Sequence, residues 1–477
     1  MSRIMAMRGF LTSSPGASPA VAASVGAACA AALALPLALP TPAAAAGRSA
    51  HDSATARAAG TGLPAGSPVP GSTRSLPLVP LTRDRVLGTA PEQGLYRAGV
   101  EHFSLVGVVW DDPDTELHGR VQVRTRSTAT GKWSGWQAVE THNGEHGADP
   151  GTAERTSRHV RGATAPLWVG DSDGVDLRVR ADLAGDAGAR TGQGGGPWLV
   201  LPSGMRLELV DPGPEAPPLG PPADASRTGP DIDEAIATSA ANTDITGFGA
   251  TEIPELSRWA TERELARLQG PVGAKPYVGA RPKIVTRRGW GADESLRERG
   301  FVYTKKVKAA FVHHTASGNT YTCAQSPSVI RGIYRYHVKS MGWRDIGYNF
   351  VVDKCGSIYE GRAGGVTKAV LGAHTLGFNS NSMGIAVIGT YGASKPSGAA
   401  VTGIARLTAW KLGLFGADPR GKTYLTSGGG NLYPKGKNVR LHVISGHRDG
   451  FATDCPGKSL YAKLGTARSS AARYQGR

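Results

Sequence analysis

The stretch Val443-Ile444-Ser445-Gly446-His447-Arg448-Asp449-Gly450-Phe451-Ala452-Thr453-Asp454-Cys455-Pro456-Gly457 places a histidine at the end of an apolar strand and a cysteine eight residues later, after a polar loop. An earlier strand, residues 307–315, ends on Phe311-Val312-His313-His314-Thr315. Two imidazoles and a thiolate form the donor set of a catalytic zinc whose fourth position is left to water. Zinc brings the pKa of that water to about 7, so hydroxide is available at neutral pH. The spacing by itself is weak support, because any His and Cys can lie this far apart.

The surrounding pattern mixes strands with helices. Residues 326–341 carry Ile330, Ile333, Tyr334, His337 and Met341 on one helical stripe. Residues 348–353 and 357–360 predict a hairpin turning at Lys354-Cys355-Gly356. Residues 383–389 form an apolar strand, 401–415 a second helix ended by Gly416, and 440–444 a further strand. This order predicts an α/β domain with a central mixed β-sheet flanked by helices.

Residues 282–464 resemble the peptidoglycan recognition protein and zinc-dependent N-acetylmuramoyl-L-alanine amidase family. The resemblance is carried by Trp290-Gly291-Ala292, by Phe311-Val312-His313-His314-Thr315, and by Gly342-Trp343-Arg344-Asp345-Ile346-Gly347-Tyr348-Asn349-Phe350. It continues through Ile358-Tyr359-Glu360-Gly361-Arg362, Gly372-Ala373-His374, Asn379-Ser380-Asn381-Ser382-Met383-Gly384-Ile385, and the closing run from Gly446 to Gly457. The resemblance implies a zinc cofactor (Zn2+) held by His313, His447 and Cys455. His314, the next residue on a strand, faces the other way.

The same resemblance makes Tyr348 an active-site tyrosine that hydrogen-bonds the attacking water or the developing oxyanion. Thr453 stands where phage amidases of the family have Lys. Its hydroxyl can donate to an oxyanion but brings no charge, so it stabilises less than a cation would. Glu360 is either a base or proton shuttle or the ion-pair partner of Arg362 or another basic side chain. His374 and Asn379 lie in segments resembling the muropeptide groove, with a structural role open for His374. His337 is expected to be structural, and His442 receives no role. The activity implied is hydrolysis of the amide between N-acetylmuramic acid and L-alanine. A non-catalytic peptidoglycan receptor on the same fold is the alternative, although such receptors typically lack the zinc cysteine. A wall protein whose function lies in its N-terminal domain is a further alternative.

The first half of the chain reads differently. Arg3 and Arg8 precede an Ala/Leu-rich run over residues 20–39, followed by Ala43-Ala44-Ala45-Ala46. This is the pattern of a secretory signal over 1–46, which predicts a secreted, extracellular, cell-wall-associated protein with no stable membrane span after cleavage. A flexible leader is expected at 47–73. Residues 74–212 hold period-two runs such as Arg120-Val121-Gln122-Val123-Arg124 and Val175-Asp176-Leu177-Arg178-Val179. They predict an antiparallel, sandwich-like β-rich accessory domain. Trp133 and Trp136 are read there as packing residues in preference to a sugar-binding surface. Residues 213–281 begin with Pro-rich sequence and are expected to be a linker with one short helix over 261–268, and 465–477 a basic tail.

Cys29 belongs to the signal segment, leaving Cys323, Cys355 and Cys455. An odd number in an exported protein calls for one pair and one thiol with other work. With Cys455 taken by zinc on the family resemblance, Cys323 and Cys355 are the disulfide, closing a loop worth about 3–4 kcal/mol by chain entropy.

Net charge is +16, and residues 281–477 hold 30 Lys and Arg against 9 Asp and Glu. This basic half suits peptidoglycan and other anionic wall polymers. Nucleic acid is excluded as a partner by the export signal and the lack of an aromatic-basic motif.

Overall fold

The computed structural model describes residues 71–81, 91–141, 143–182, 200–214, 230–270 and 276–477. The expected signal segment, and all of the expected leader except residues 71–73, lie outside the described residues.

The N-terminal domain is a single antiparallel sheet. Its strands are β1 (Thr73–Pro77), β2 (Val79–Pro80), β3 (Glu92–Trp110), β4 (Gly119–Ser127), β5 (Gln137–Val139), β6 (Gly162–Ala163), β7 (Leu167–Ala181) and β8 (Arg206–Val210). The order is β1-β8-β3-β7-β4-β5, with β2 and β6 also paired to β3. The alternating residues do what their period demands: Val121, Val123, Val175, Leu177 and Val179 all point into one core with Phe103, Val106 and Leu207. Trp136 is stacked by Arg178 and Arg124, with guanidinium carbons 4.4 and 5.1 Å from its ring centroid. Trp133, 37% exposed, is covered by Arg124.

The C-terminal domain has a seven-stranded mixed sheet. It is built from β9 (Glu252–Ile253), β10 (Ile284–Val285), β11 (Ala309–His314), β12 (Phe350–Val352), β13 (Ile358–Glu360), β14 (Ser382–Val387) and β17 (Ile444–Gly446). The order is β17-β11-β14-β12-β13-β10-β9. β17, β11, β14 and β12 run parallel, and β12 and β13 form the expected antiparallel hairpin. β15 (Lys422–Thr426) and β16 (Asn438–His442) make a separate ribbon. The residues expected to form one strand at 440–444 are therefore divided between β16 and β17.

One sheet face packs on the helices Gly398–Leu414 and Leu464–Gln475 through Ile385, Val387, Ile404, Trp410 and Ala471. Ser397 caps the first of these helices, accepting from Ala400 N at 3.0 Å. The other face carries the helix Ser326–Arg335, which runs on into a wider turn, Tyr336–Ser340. Cys323 and Cys355 are joined, with Cα atoms 6.3 Å apart.

Two expectations about boundaries are corrected. Within the expected linker, residues 230–240 and 258–269 are helical, and β9 pairs with β10 at the sheet edge. Asn242 and Arg281 from this segment are buried against the C-terminal domain and its neighbouring turns. The second of these contains the short helix expected at 261–268 and starts at the N-cap Ser257, which accepts from Ala260 N, while Gly- and Pro-rich composition concealed the first. The expected basic tail is the helix Leu464–Gln475, whose Ala467, Ala471 and Ala472 are buried and whose Gln475 donates to Ala409 O at 3.0 Å.

The two domains pack closely. Tyr336 donates to Thr164 O at 3.1 Å, and Ser340 to Glu208 at 2.9 Å. Gly342, at φ +76°, would carry any Cβ to 1.9 Å from His159 O, so this approach requires glycine.

Candidate metal centre

Strand register creates the site. β11 and β17 run parallel with Val312 opposite Gly446, so the residues that follow, His313 and His447, stand side by side. Their ring centroids are 4.5 Å apart. The loop after His447 returns Cys455 to the same place: Arg448 N donates to Cys455 O, and Thr453 Oγ1 accepts from Cys455 N at 3.1 Å. The Cys455 sulfur lies 3.8 Å from His313 Nδ1. All three side chains are buried.

A fourth donor was not foreseen. His146 comes from residues 143–161, a strap preceding β6 that lies against the C-terminal domain through Glu145, Asp149 and Glu154. Its Nε2 lies 3.7 Å from the Cys455 sulfur, and its ring centroid 4.6 Å from that of His447. One ligand atom from each of His146, His313, His447 and Cys455 falls within 4.8 Å of the others. Sequence gave no signal for His146: it lies in Asn143-Gly144-Glu145-His146-Gly147, between elements and in the other domain.

The donor set fits zinc. Bond lengths near 2.3 Å to sulfur and 2.0–2.1 Å to nitrogen, at tetrahedral angles, place neighbouring S and N atoms about 3.5 Å apart. Both ring nitrogens of His447 and Nδ1 of His146 are buried with no hydrogen-bond partner. Burial first, and then the neighbouring imidazoles, hold His313 and His447 well below the usual histidine range, while burial lowers His146 to about 3. Burial likewise pushes the Cys455 thiol well up. A cation is what makes such a site chemically satisfied, because it takes the imidazole lone pairs and deprotonates the thiol.

The remaining predicted residues separate into two groups. Tyr348 is brought to the cluster, buried, with its ring centroid 5.6 Å from that of His313. Thr453 is also there, but its hydroxyl donates to Glu145 Oε1 of the strap at 2.7 Å. His314 faces away and accepts from Tyr391 N at 3.3 Å. His337 is structural, stacked on Trp343 and accepting from Gly347 N.

Of the two residues expected in the groove, Asn379 lines a cavity of about 380 Å³ beside Arg362, and His374 takes the structural role left open for it. His374 is fully buried, with Nδ1 3.3 Å from His313 Nε2 and 3.0 Å from the Thr375 hydroxyl. It orients the ring of His313 from behind, as a partner to the far nitrogen of a metal-binding histidine does. Asn379 accepts from the backbone N–H groups of His374 and Thr375, and its amide donates to Gly147 O and Asp149 of the strap.

Glu360 is a correction. Across the sheet Val312 pairs with Ile385, Ile385 with Phe350 and Phe350 with Glu360, so Glu360 shares a face with Val312. His313 is on the opposite face. The Glu360 carboxylate accepts from Asn242 and from Arg287 N, and burial raises it to about 7. Arg362 is not its partner either, being engaged by Glu154 of the strap.

Comparison with known proteins agrees with this division of the chain. Residues 303–458 match the family profile described as N-acetylmuramoyl-L-alanine amidase, and residues 63–198 one described as Rv3811 N-terminal galactose-binding domain-like. Peptidoglycan-recognition protein SC2 of Drosophila simulans is 31% identical over 183 residues, which is 38% of this chain and 85% of that protein. The N-acetylmuramoyl-L-alanine amidase of Homo sapiens is 33% identical over 193 residues, 39% of this chain and 28% of that protein. Among solved structures, Drosophila PGRP-LB is 25% identical over 38% of this chain and 92% of its own, with a TM-score of 0.30. Through its C-terminal domain, the chain belongs to the peptidoglycan-recognition protein and N-acetylmuramoyl-L-alanine amidase family.

Proposed function

We propose that the protein is a secreted zinc-dependent amidase that hydrolyses the bond between N-acetylmuramic acid and L-alanine in peptidoglycan. Family membership supports a peptidoglycan-related amidase or binding function. The observation that carries the catalytic reading is the convergence of His313, His447 and Cys455 on one buried point.

His313, His447 and Cys455 would hold the zinc. When bound, that ion supplies Lewis-acid polarisation of the amide carbonyl and a water of lowered pKa. The chain's own residues do the rest. His374 and Thr375 fix the His313 ring through its outer nitrogen. Tyr348 and Thr453 offer hydroxyls to the charge that develops on the carbonyl oxygen. Tyr348 stays protonated as a donor, since burial first, and then Cys455 and Glu145, raise its pKa well above the usual tyrosine value.

Secretion and wall association are part of the same proposal. They are supported by the signal-like N-terminal sequence, the Cys323–Cys355 disulfide and the excess of Lys and Arg after residue 280. Among the described residues no helix is long and apolar enough to cross a membrane.

The test is mass spectrometry of purified peptidoglycan treated with the zinc-loaded His146→Ala chain, in which the strap's donor is removed. The expected products are stem peptides with a free L-alanine amino terminus and uncut glycan strands. Undigested peptidoglycan with protein bound to it would instead point to a receptor.

A further inference from the structure

A catalytic zinc site keeps one position open, whereas four protein donors make a closed, structural type of site. Here the fourth donor comes from the other domain. His146 is buried within the cluster, and the space beside it, lined by Glu145, His146, Thr453 and Cys455, is only about 10 Å³. That is room for a single water at most.

The strap carrying His146 is anchored along the same face by its own polar groups. Leu376 N donates to Glu145 O at 3.0 Å, and Thr453 donates to the Glu145 carboxylate. Gly377 N and the Asn379 amide both donate to Asp149 Oδ1, at 2.8 and 2.7 Å. Arg362 makes two hydrogen bonds to Glu154, at 2.8 and 2.9 Å, and Arg344 N a third. Gly147, at φ +147°, lets the chain turn immediately after His146 in a conformation side-chain-bearing residues seldom adopt. The strap thus engages the hydroxyl assigned to oxyanion stabilisation, and its Asp149 and Glu154 carboxylates take up the donors of Asn379 and Arg362.

We propose that His146 is a fourth metal ligand supplied by the β domain, and that the strap behind it holds the enzyme latent until it is displaced. This rests on the amidase reading above. Displacement would withdraw the His146 imidazole from His313, His447 and Cys455 and free Thr453, Asn379 and Arg362 together.

The test uses the full chain loaded with Co2+ and titrated with acetohydroxamate, a small chelating probe, while its visible spectrum is followed. The wild-type spectrum is expected to stay unchanged by the probe. His146→Ala should give a shifted spectrum that responds to the probe and release L-alanine termini at least about tenfold faster. Glu154→Gln keeps all four donors and loosens only the strap, so it should gain partial probe sensitivity even if His146→Ala folds poorly. A wild-type spectrum that responds to the probe as fully as His146→Ala does overturns the proposal, as does a chain that takes up no cobalt. A probe-responsive His146→Ala spectrum with no hydrolysis by any variant would uphold His146 as a ligand and remove the amidase reading.

Discussion

Glu154 and Arg362 are 208 residues apart in sequence, yet they form a bidentate ion pair with both side chains about 7% exposed. One belongs to the β domain and the other to a family motif of the amidase domain. The pair therefore ties the strap to the groove more firmly than a surface ion pair could, since those contribute little.

Loosening this pair should be visible locally before it is visible globally. The amides of Leu376 and Gly377 donate to Glu145 O and Asp149 of the strap. In Glu154→Gln their hydrogen exchange should accelerate about ten- to a hundredfold, the equivalent of one charged hydrogen bond. Unchanged exchange at both amides would show that the strap is held by other contacts.

Glu360→Gln should leave hydrolysis unaffected, because the carboxylate faces Asn242 and Arg287 on the far side of the sheet. Burial raises this carboxyl from 4.5 to about 7. The sign follows: its favourable contribution is complete below pH 4.5 and is lost as pH rises through 7. The Gln variant should therefore gain stability over wild type between pH 5 and pH 8, by on the order of 3 kcal/mol. Urea unfolding at the two pH values measures it, and a rate loss in Glu360→Gln would return Glu360 to the reaction.

That misplacement shows what the sequence could and could not convey. The motifs around His313 and His447 were legible because each histidine ends its own apolar strand. Which face a strand residue takes depends on which strands pair, and the pairing that puts Glu360 with Val312 is long-range. His146 was illegible for a related reason, since nothing local ties a loop of one domain to a metal site in another. The helix at 258–269 was legible in part, over 261–268, whereas the one at 230–240 was hidden by composition, and only tertiary packing against the C-terminal domain makes the segment part of it.

His374→Leu should weaken zinc binding by about 10- to 100-fold, as loss of such an outer partner does. A competing chelator measures the affinity. The fold should persist, since the ring packs beside Phe311 and leucine remains apolar. Unaltered zinc affinity would mean that His313 needs no support from behind.

His337 predicts an acid limb. Burial first, and then His146 and Arg362, lower it from 6.5 to about 3. Its contribution is complete above pH 6.5 and is lost as pH falls toward 3. In the metal-free chain this adds about 1.4 kcal/mol of lost stability per pH unit across that window. His337→Asn should shallow the slope of unfolding free energy against pH by one proton, and an unchanged slope would mean that His337 charges without penalty.

The central claim is that His313, His447 and Cys455 hold a zinc that makes this chain an amidase. The most direct measurement adds zinc stepwise to the metal-free His146→Ala chain and follows L-alanine amino termini released from peptidoglycan. Release should rise with zinc to a single equivalent per chain, then level off, and should vanish when Cys455→Ser is added. Release that ignores zinc, or that survives Cys455→Ser, would contradict the account.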